Sequence, residues 1–344
     1  MIIIRPIDQK DTEAFIQMAY NAGIGMTSMP KNREILEKRI KESIEAFSKK
    51  PNGHSFLGTY LFVLEDTDSG EIGGTSGIAS QTGRQFPIPF FKLKKLEHHE
   101  GIGPLQKIVP TLHVIYHENY WSEVCSLYLK PEFRHSGFGR LLSLSRFLFI
   151  AAFPDRFESM IFAEMRGYVD ENQTSPFWEG IGKHFVDATF ETLTHLRDEG
   201  ILNLSRALPW YPIYTELLPK IVQESIGKIH EETKSAFQML IQEGFKVSDE
   251  YDVCDGGPKI EMETKSVRSL KESVVDNVAE ILDEIPCSPH FILSNNQLNF
   301  RACLSPIKKL QNGGIAIPPD VAKALELSVG STVRYTTPYK DTRK

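Results

Sequence analysis

The chain has 344 residues, enough for two or three domains at ~150 residues each. Apolar residues make up 41% and charged residues 24%, which excludes a mainly disordered chain. The net charge of −6 argues against a nucleic-acid binder, which usually carries a basic face. No run approaches ~18 consecutive apolar residues, so no membrane-spanning helix is expected. Cys125, Cys254, Cys287 and Cys303 form no CxxC pair. They read as reduced, buried thiols of a cytoplasmic protein, not as a zinc site.

In chain order, Met1-Ile2-Ile3-Ile4-Arg5-Pro6 is apolar and then breaks into charge, which reads as an edge or first strand and not as a leader. Asp11 can cap a helix running to about Ala22. Lys31 to Phe47 keeps Ile35, Leu36, Ile40, Ile44 and Phe47 at helical spacing, and Pro51-Asn52-Gly53 ends it. Gly58 to Glu65 and Glu71 to Ser80 read as a hairpin around an Asp/Ser/Gly turn. Residues 81–121, interrupted by four prolines, read as an insertion that extends the sheet. Within it Glu97-His98-His99-Glu100 reads as a solvated turn, because adjacent histidines do not share a helix face.

Val124 to Leu129 is the next strand, followed by a glycine loop and a long apolar helix from Arg140 to Phe153. Leu144, Phe147, Phe149 and Ile150 on that helix read as core. Met160 to Glu164 is another strand, and Ser175-Pro176-Phe177-Trp178 opens another helix, since proline fits the first turn. Glu231 to Glu243 is helical and ends at Gly244. Phe245 to Val253 and Lys259 to Glu263 pair around Asp255-Gly256-Gly257-Pro258. Residues 290–305 and 314–337 read as short strands around a small helix, Pro319 to Leu325. The order of elements is that of an α/β layered domain with a β-rich end.

Arg134-x-x-Gly137-x-Gly139 stands between a strand and a helix. Glycines let a backbone turn tightly, so that several N–H groups face one anion, and the helix start adds its positive dipole end. A pyrophosphate is the natural guest, with Arg134 at the mouth. The Gly-Lys-Ser/Thr ending of a P-loop is missing, and so is the three-glycine dinucleotide fingerprint. By spacing alone the loop could equally be a tight turn into a helix.

The order of elements around this loop resembles the GNAT superfamily of acyl-CoA-dependent N-acyltransferases. A narrower resemblance runs in order over most of residues 1–263. Thr27-Ser28-Met29-Pro30, the run Glu123 to Phe153, Ala163-Glu164-Met165-Arg166-Gly167, Ser175-Pro176-Phe177-Trp178, Pro212-Ile213-Tyr214 and Asp255-Gly256-Gly257-Pro258 together look like the arginine N-succinyltransferase family. That resemblance implies a tandem GNAT-like α/β (α+β) fold with a mixed sheet and a small C-terminal β module. The units expected are 1–200, binding the acyl-CoA, 201–265, a partial second half, and 266–344. It implies succinyl transfer from succinyl-CoA, as cosubstrate and not as a resident cofactor, to the α-amine of arginine, with a homo-oligomer as a possible assembly. Two stretches depart from the family pattern: Arg206-Ala207-Leu208-Pro209-Trp210-Tyr211 precedes Pro212, and His117-Glu118 stands near the place of a displaced family histidine. Ornithine, another amino acid, a polyamine or a protein amine therefore stay open as acceptors.

On this reading Leu127, Leu129, Arg134, His135, Ser136, Gly137, Phe138, Gly139 and Arg140 hold coenzyme A. The backbone N–H near Leu127 or Tyr128 faces the oxyanion. Glu164 and Arg166, two apart on a strand, point to one face, either as acceptor ligands or as a salt-bridged pair at a strand end. Glu164 and Glu123 are the candidate bases. Ser175, Trp178 and Asp255 are assigned to the acceptor side, and no metal is expected. Indole cannot serve as the acid that a tyrosine supplies in many GNAT enzymes, so Trp178 is expected to shape the pocket. Tyr120 and Tyr128 stay open as that acid. A rival reading comes from the end of the chain. Residues 313–336 somewhat resemble the β-barrels of swapped-hairpin regulators, and 301–344 carries eight Lys/Arg against three Asp/Glu.

Overall fold

Ile3 and Ile4 are fully buried, and the strand they form is central rather than at an edge. In the computed structural model the described residues are 1–23, 25–26, 28–48, 58–83, 87–98, 107–117, 120–193, 204, 207–286 and 290–339. Cys287, Thr27, Arg206, Glu118, His99, Glu100 and the Pro51 turn lie outside them.

The strands are β1 (Ile2–Pro6), β2 (Thr59–Asp66), β3 (Ile72–Ala79), β4 (Ile88–His98), β5 (Lys107–His117), β6 (Ser122–Leu129), β7 (Met160–Glu164) and β8 (Ile213–Tyr214). They continue as β9 (Lys246–Asp252), β10 (Pro258–Glu263), β11 (Val274–Ile281), β12 (His290–Ser294), β13 (Ala302–Pro306), β14 (Lys308–Lys309), β15 (Ile315–Ile317) and β16 (Thr332–Thr336). They form one sheet in the order β14-β15-β11-β16-β12-β13-β1-β2-β3-β6-β7-β10-β9-β4-β5-β8. The pairs are antiparallel except β6/β7 and β11/β15, so the sheet is mixed, as a GNAT-like fold requires. The insertion does extend the sheet, but at a distance. Its hairpin, β4 and β5, pairs with β9, far along the chain.

The helices are α1 (Thr12–Asn21), α2 (Arg33–Ser48), α3 (Phe138–Ala152), α4 (Pro176–Gly180), α5 (Lys220–Ser225), α6 (Lys234–Glu243), α7 (Arg268–Lys271) and α8 (Pro319–Ala324). Asp11 does not cap α1 with its side chain. Its carboxylate instead takes two hydrogen bonds from Arg5, at 2.7 and 2.9 Å, while Asp8 caps the preceding turn. The buried arginine made the stronger claim on the carboxylate. Gly244, at φ +107°, ends α6 as expected.

Helix α3 is buried from Leu141 to Ile150. A helix apolar all round must be covered on more than one side. The sheet contacts it through β3 and β6 and, further along its order, through the C-terminal strands β12, β13 and β16. Phe147, Phe149, Phe300, Ile292 and Ala302 share its core. The C-terminal module also ties itself down by charge. Arg334 donates to Ala151 O at 3.1 Å, and Arg268 pairs with the buried Glu243 at 2.6 Å.

Candidate active site

Strands β6 and β7 are paired only at Ser122–Ile161 and Glu123–Phe162, and then they part. The cause is local. Ser126 sits at φ +52°, a left-handed conformation rare for a non-glycine residue, and the β3–β6 register shifts between Thr75 and Gly77. Ser28, in the α1–α2 loop, steadies this bulge. It accepts the Ser126 N–H on its Oγ at 3.1 Å and the Ser126 hydroxyl on its carbonyl at 3.3 Å. The gap between the parted strands is an inner chamber of about 120 Å³. Glu123, Cys125 and Leu127 line it from β6, with Glu164 and Arg166 from the end of β7.

An outer chamber of about 600 Å³ opens beside it. Its wall is the tip of β6 (Leu127, Tyr128, Leu129) and the loop from Arg134 to Gly139. Ser136 and Gly137 are both left-handed, at φ +50° and +81°, which folds the loop back onto the start of α3. The Phe138 N–H is taken by His135 O at 3.1 Å, and the next N–H groups at the start of α3, which have no intrahelical acceptor, are left for a guest. A Cβ at Gly139 would meet Leu129 Cδ2 only at 3.8 Å, so protein packing does not demand a glycine there. The open space is on the chamber side, the arrangement of a cradle that lets a ligand approach the backbone closely. Met26, Leu127, Arg166, Thr233 and Ala236 line both chambers, which makes them one continuous cleft.

Residues 2–269 match the family model described as arginine N-succinyltransferase beta subunit, and 277–337 match its C-terminal domain. The chain belongs to the arginine N-succinyltransferase family. It is 34% identical to the arginine N-succinyltransferase of Yersinia enterocolitica, over 97% of each chain. It is 36% identical to that of Salmonella schwarzengrund, over 88% of each. The solved arginine/ornithine succinyltransferase subunit AI from Pseudomonas aeruginosa superposes with a TM-score of 0.89, covering 99% of both chains at 29% identity. Because 277–337 match a domain of the family itself, the C-terminal module gives no support to the regulator reading. No helix of the described residues is long and apolar enough to cross a membrane.

Within this family cleft, the expected residues fall into three groups. Glu123, Glu164, Arg166 and Asp255 converge on the inner chamber. Leu127, Leu129, Arg134, His135, Ser136, Gly137 and Gly139 line the outer one. Ser175, Trp178, Phe138 and Arg140 lie off both. Ser175 is buried and caps α4 through the Trp178 N–H, and the Trp178 indole donates to Ala188 O at 2.8 Å inside an apolar cluster. Both side chains are spent on folding the segment after β7. Phe138 packs against His135, the rings tilted at 56°. Arg140 turns outward to Gln242 at 2.8 Å and lies over the Tyr339 ring at 4.5 Å, because the C-terminal module supplies partners on that side.

Arg166 is buried, with its Nη1 3.3 Å from Glu232 and its Nε without a hydrogen-bond partner among the described residues. Burial lowers its pKa. Asp255 accepts N–H bonds from Gly167 at 2.7 Å and Gly257 at 2.8 Å, so it locks the chamber floor while facing it. The turn is that tight because a Cβ at Gly257 would lie 1.9 Å from Met165 O.

Arg146 lines the inner chamber and His230 stands beside Glu231, which lines the outer one; neither stood out in the sequence. The His230 N–H donates to Arg166 O at 2.9 Å, and its Nδ1 accepts from Glu232 N at 3.2 Å. Burial first, and the nearby Arg166 charge second, lower its pKa below the ordinary 6.5. The imidazole is therefore neutral at pH 7, with its proton on Nε2. Its one signal was its place just ahead of a helix start. His117, by contrast, is engaged away from the cleft walls, bonded to Glu250 at 2.7 Å. Lys259, fully buried, holds the same carboxylate at 2.8 Å, and its partners keep Glu250 down at about 2.

Proposed function

We propose that the protein transfers the succinyl group of succinyl-CoA to the α-amine of arginine. The observation that carries this reading is the meeting of a backbone anion cradle and a charged chamber at the point where β6 and β7 part. The pyrophosphate of coenzyme A lies against the loop Arg134–Gly139 and the start of α3. The pantetheine arm follows Leu129 and Leu127 inward, and its thioester reaches the gap. There the N–H near Leu127 or Tyr128 meets the oxygen on which charge develops.

An α-amine with a pKa near roughly 8 is mostly protonated at pH 7, so it must lose a proton before it attacks. Glu164 or Glu123 takes that proton, directly or through water, and the other carboxylate faces the guanidinium. The amine nitrogen bonds to the thioester carbon and the C–S bond breaks. The nitrogen sheds its remaining extra proton, and the thiolate takes one up. The carboxylic acid formed when Glu164 or Glu123 takes up the amine's proton returns a proton to the thiolate, directly or through water. Arg166 adds a cation where the two chambers join. A cytoplasmic location accords with Cys125, Cys254 and Cys303 being in no disulfide, the thiols of Cys125 and Cys303 pushed up to about 12 by burial.

Thiol release from succinyl-CoA and acetyl-CoA against arginine, ornithine, lysine and a polyamine tests the reading. Fastest release is expected for succinyl-CoA with arginine. Brisk transfer to another amine with none to arginine would refute the acceptor and spare the acyl-CoA chemistry.

A further inference from the structure

Arg146 sits in the middle of the apolar helix α3 and is only 1% exposed, yet it lines the inner chamber. Its Nε donates to Ser143 O and its Nη2 to Ser143 Oγ, both at 2.9 Å. Its Nη1 reaches Cys125 O and Gly77 O only at 3.3 and 3.4 Å, at the long end of the hydrogen-bond range. A guanidinium has five N–H groups, so this one keeps donor capacity in reserve at the chamber wall. Among the described residues no carboxylate lies within ion-pair distance of it. Burial lowers its pKa to about 10, which still leaves it charged at pH 7.

Three other interior arginines meet carboxylates: Arg5 meets Asp11, Arg268 meets Glu243, and Arg166 meets Glu232. A fourth, Arg156, faces no chamber and donates to Ala46 O and the Tyr60 hydroxyl. An unanswered buried charge is costly and needs a compensating anion. The inner chamber, which Arg146 lines, is where a small molecule could bring it. A carboxylate suits a guanidinium because two parallel N–H···O bonds can form.

We propose that Arg146 recognises a substrate carboxylate in the inner chamber, either the free carboxylate of the acyl group or that of the acceptor amino acid. The inference rests on the function proposed above. A residue that merely props the bulge through Cys125 O and Gly77 O would affect every substrate alike. A carboxylate receptor affects only substrates that carry the group.

Two ratios of kcat/KM separate these cases in wild type, Arg146→Gln and Arg146→Lys. One compares succinyl-CoA with butyryl-CoA, its neutral near-isostere. The other compares arginine with agmatine, which lacks the carboxylate. In Arg146→Gln one ratio should collapse by about 30-fold or more, the scale of a desolvated charge pair losing a partner. The ratio that collapses names the carboxylate. Arg146→Lys, which keeps the charge and is the milder change to the core, should retain part of the preference. Both ratios unchanged in a folded variant, with all four substrates slowed alike, would overturn the proposal and leave Arg146 as a prop. Wild-type protein inactive with both acyl donors would instead overturn the proposed function, and this inference with it.

Discussion

The two chambers are built from different materials. The outer one has a wall of backbone, from the Arg134–Gly139 loop and the start of α3, faced by residues 231–239. The inner one is made by side chains that reach one gap from β6, from the end of β7, from α3 and from the Asp255 turn. Backbone donors are the same whatever the residue, so the outer chamber suits the invariant part of an acyl-CoA. Charged side chains can be placed one by one, so the inner chamber suits the part that must be discriminated. On the proposed function, rate and selectivity belong to the inner chamber, and affinity for the coenzyme to the outer.

The sharpest way to break this division is Glu164→Gln. Losing one partner of a desolvated charge pair costs about 2–5 kcal/mol, so kcat/KM for arginine should fall by roughly two to three orders of magnitude. Coenzyme A binding, measured by calorimetry, should stay as it is. An equal loss of coenzyme A affinity would merge the two chambers into one functional unit.

A smaller effect is expected from Gly139→Val. With only Leu129 Cδ2 at 3.8 Å from the new Cβ, the fold accepts the change and the guest does not. The Kd for coenzyme A should rise by about tenfold, a cost of ~1.4 kcal/mol, with Tm nearly unchanged. Gly137→Val should weaken binding and also lower stability by about 1–2 kcal/mol, because φ +81° disfavours a side chain. Unaltered affinity in both variants would remove the loop from the coenzyme site.

The least effect belongs to Ser175→Ala. Loss of the α4 cap should cost about 1 kcal/mol in chemical denaturation. Kinetic constants for both substrates should not move, since Ser175 and Trp178 face neither chamber. A raised KM for arginine would bring α4 into the acceptor site after all.

Much of this was legible along the chain. Met160–Glu164 and the end of α6 at Gly244 were readable from alternation and from a cap residue. The glycine loop was readable because its whole geometry is local. The start of α3 was less so. The sequence suggested Arg140, but the left-handed Gly137 lets the helix begin at Phe138. Asp11 looked like a cap only because Arg5, its actual partner, reaches it from β1.

Within the inner chamber the local signals gave out. Glu164 and Arg166 could be paired by strand alternation, and Asp255 by its turn. Arg146 is one polar letter on an otherwise apolar helix, and nothing near it in sequence says that a strand gap will open against it. His230 becomes relevant only through a partner sixty-four residues away, Arg166, and Ser28, although part of a quoted motif, shows its role only through Ser126, about a hundred residues on. The hairpin β4–β5 likewise carries no mark that it will pair with β9.

Sequence alone determined what short-range physics can settle: strand and helix periods, cap and turn residues, and a loop whose glycines shape an anion cradle. The tertiary structure decided the sheet order, the parting of β6 from β7, and which charges end up answered or unanswered in the gap. The reason is that backbone conformation is set within a few residues. The energy of a buried charge depends on every group folded around it, wherever in the chain that group began.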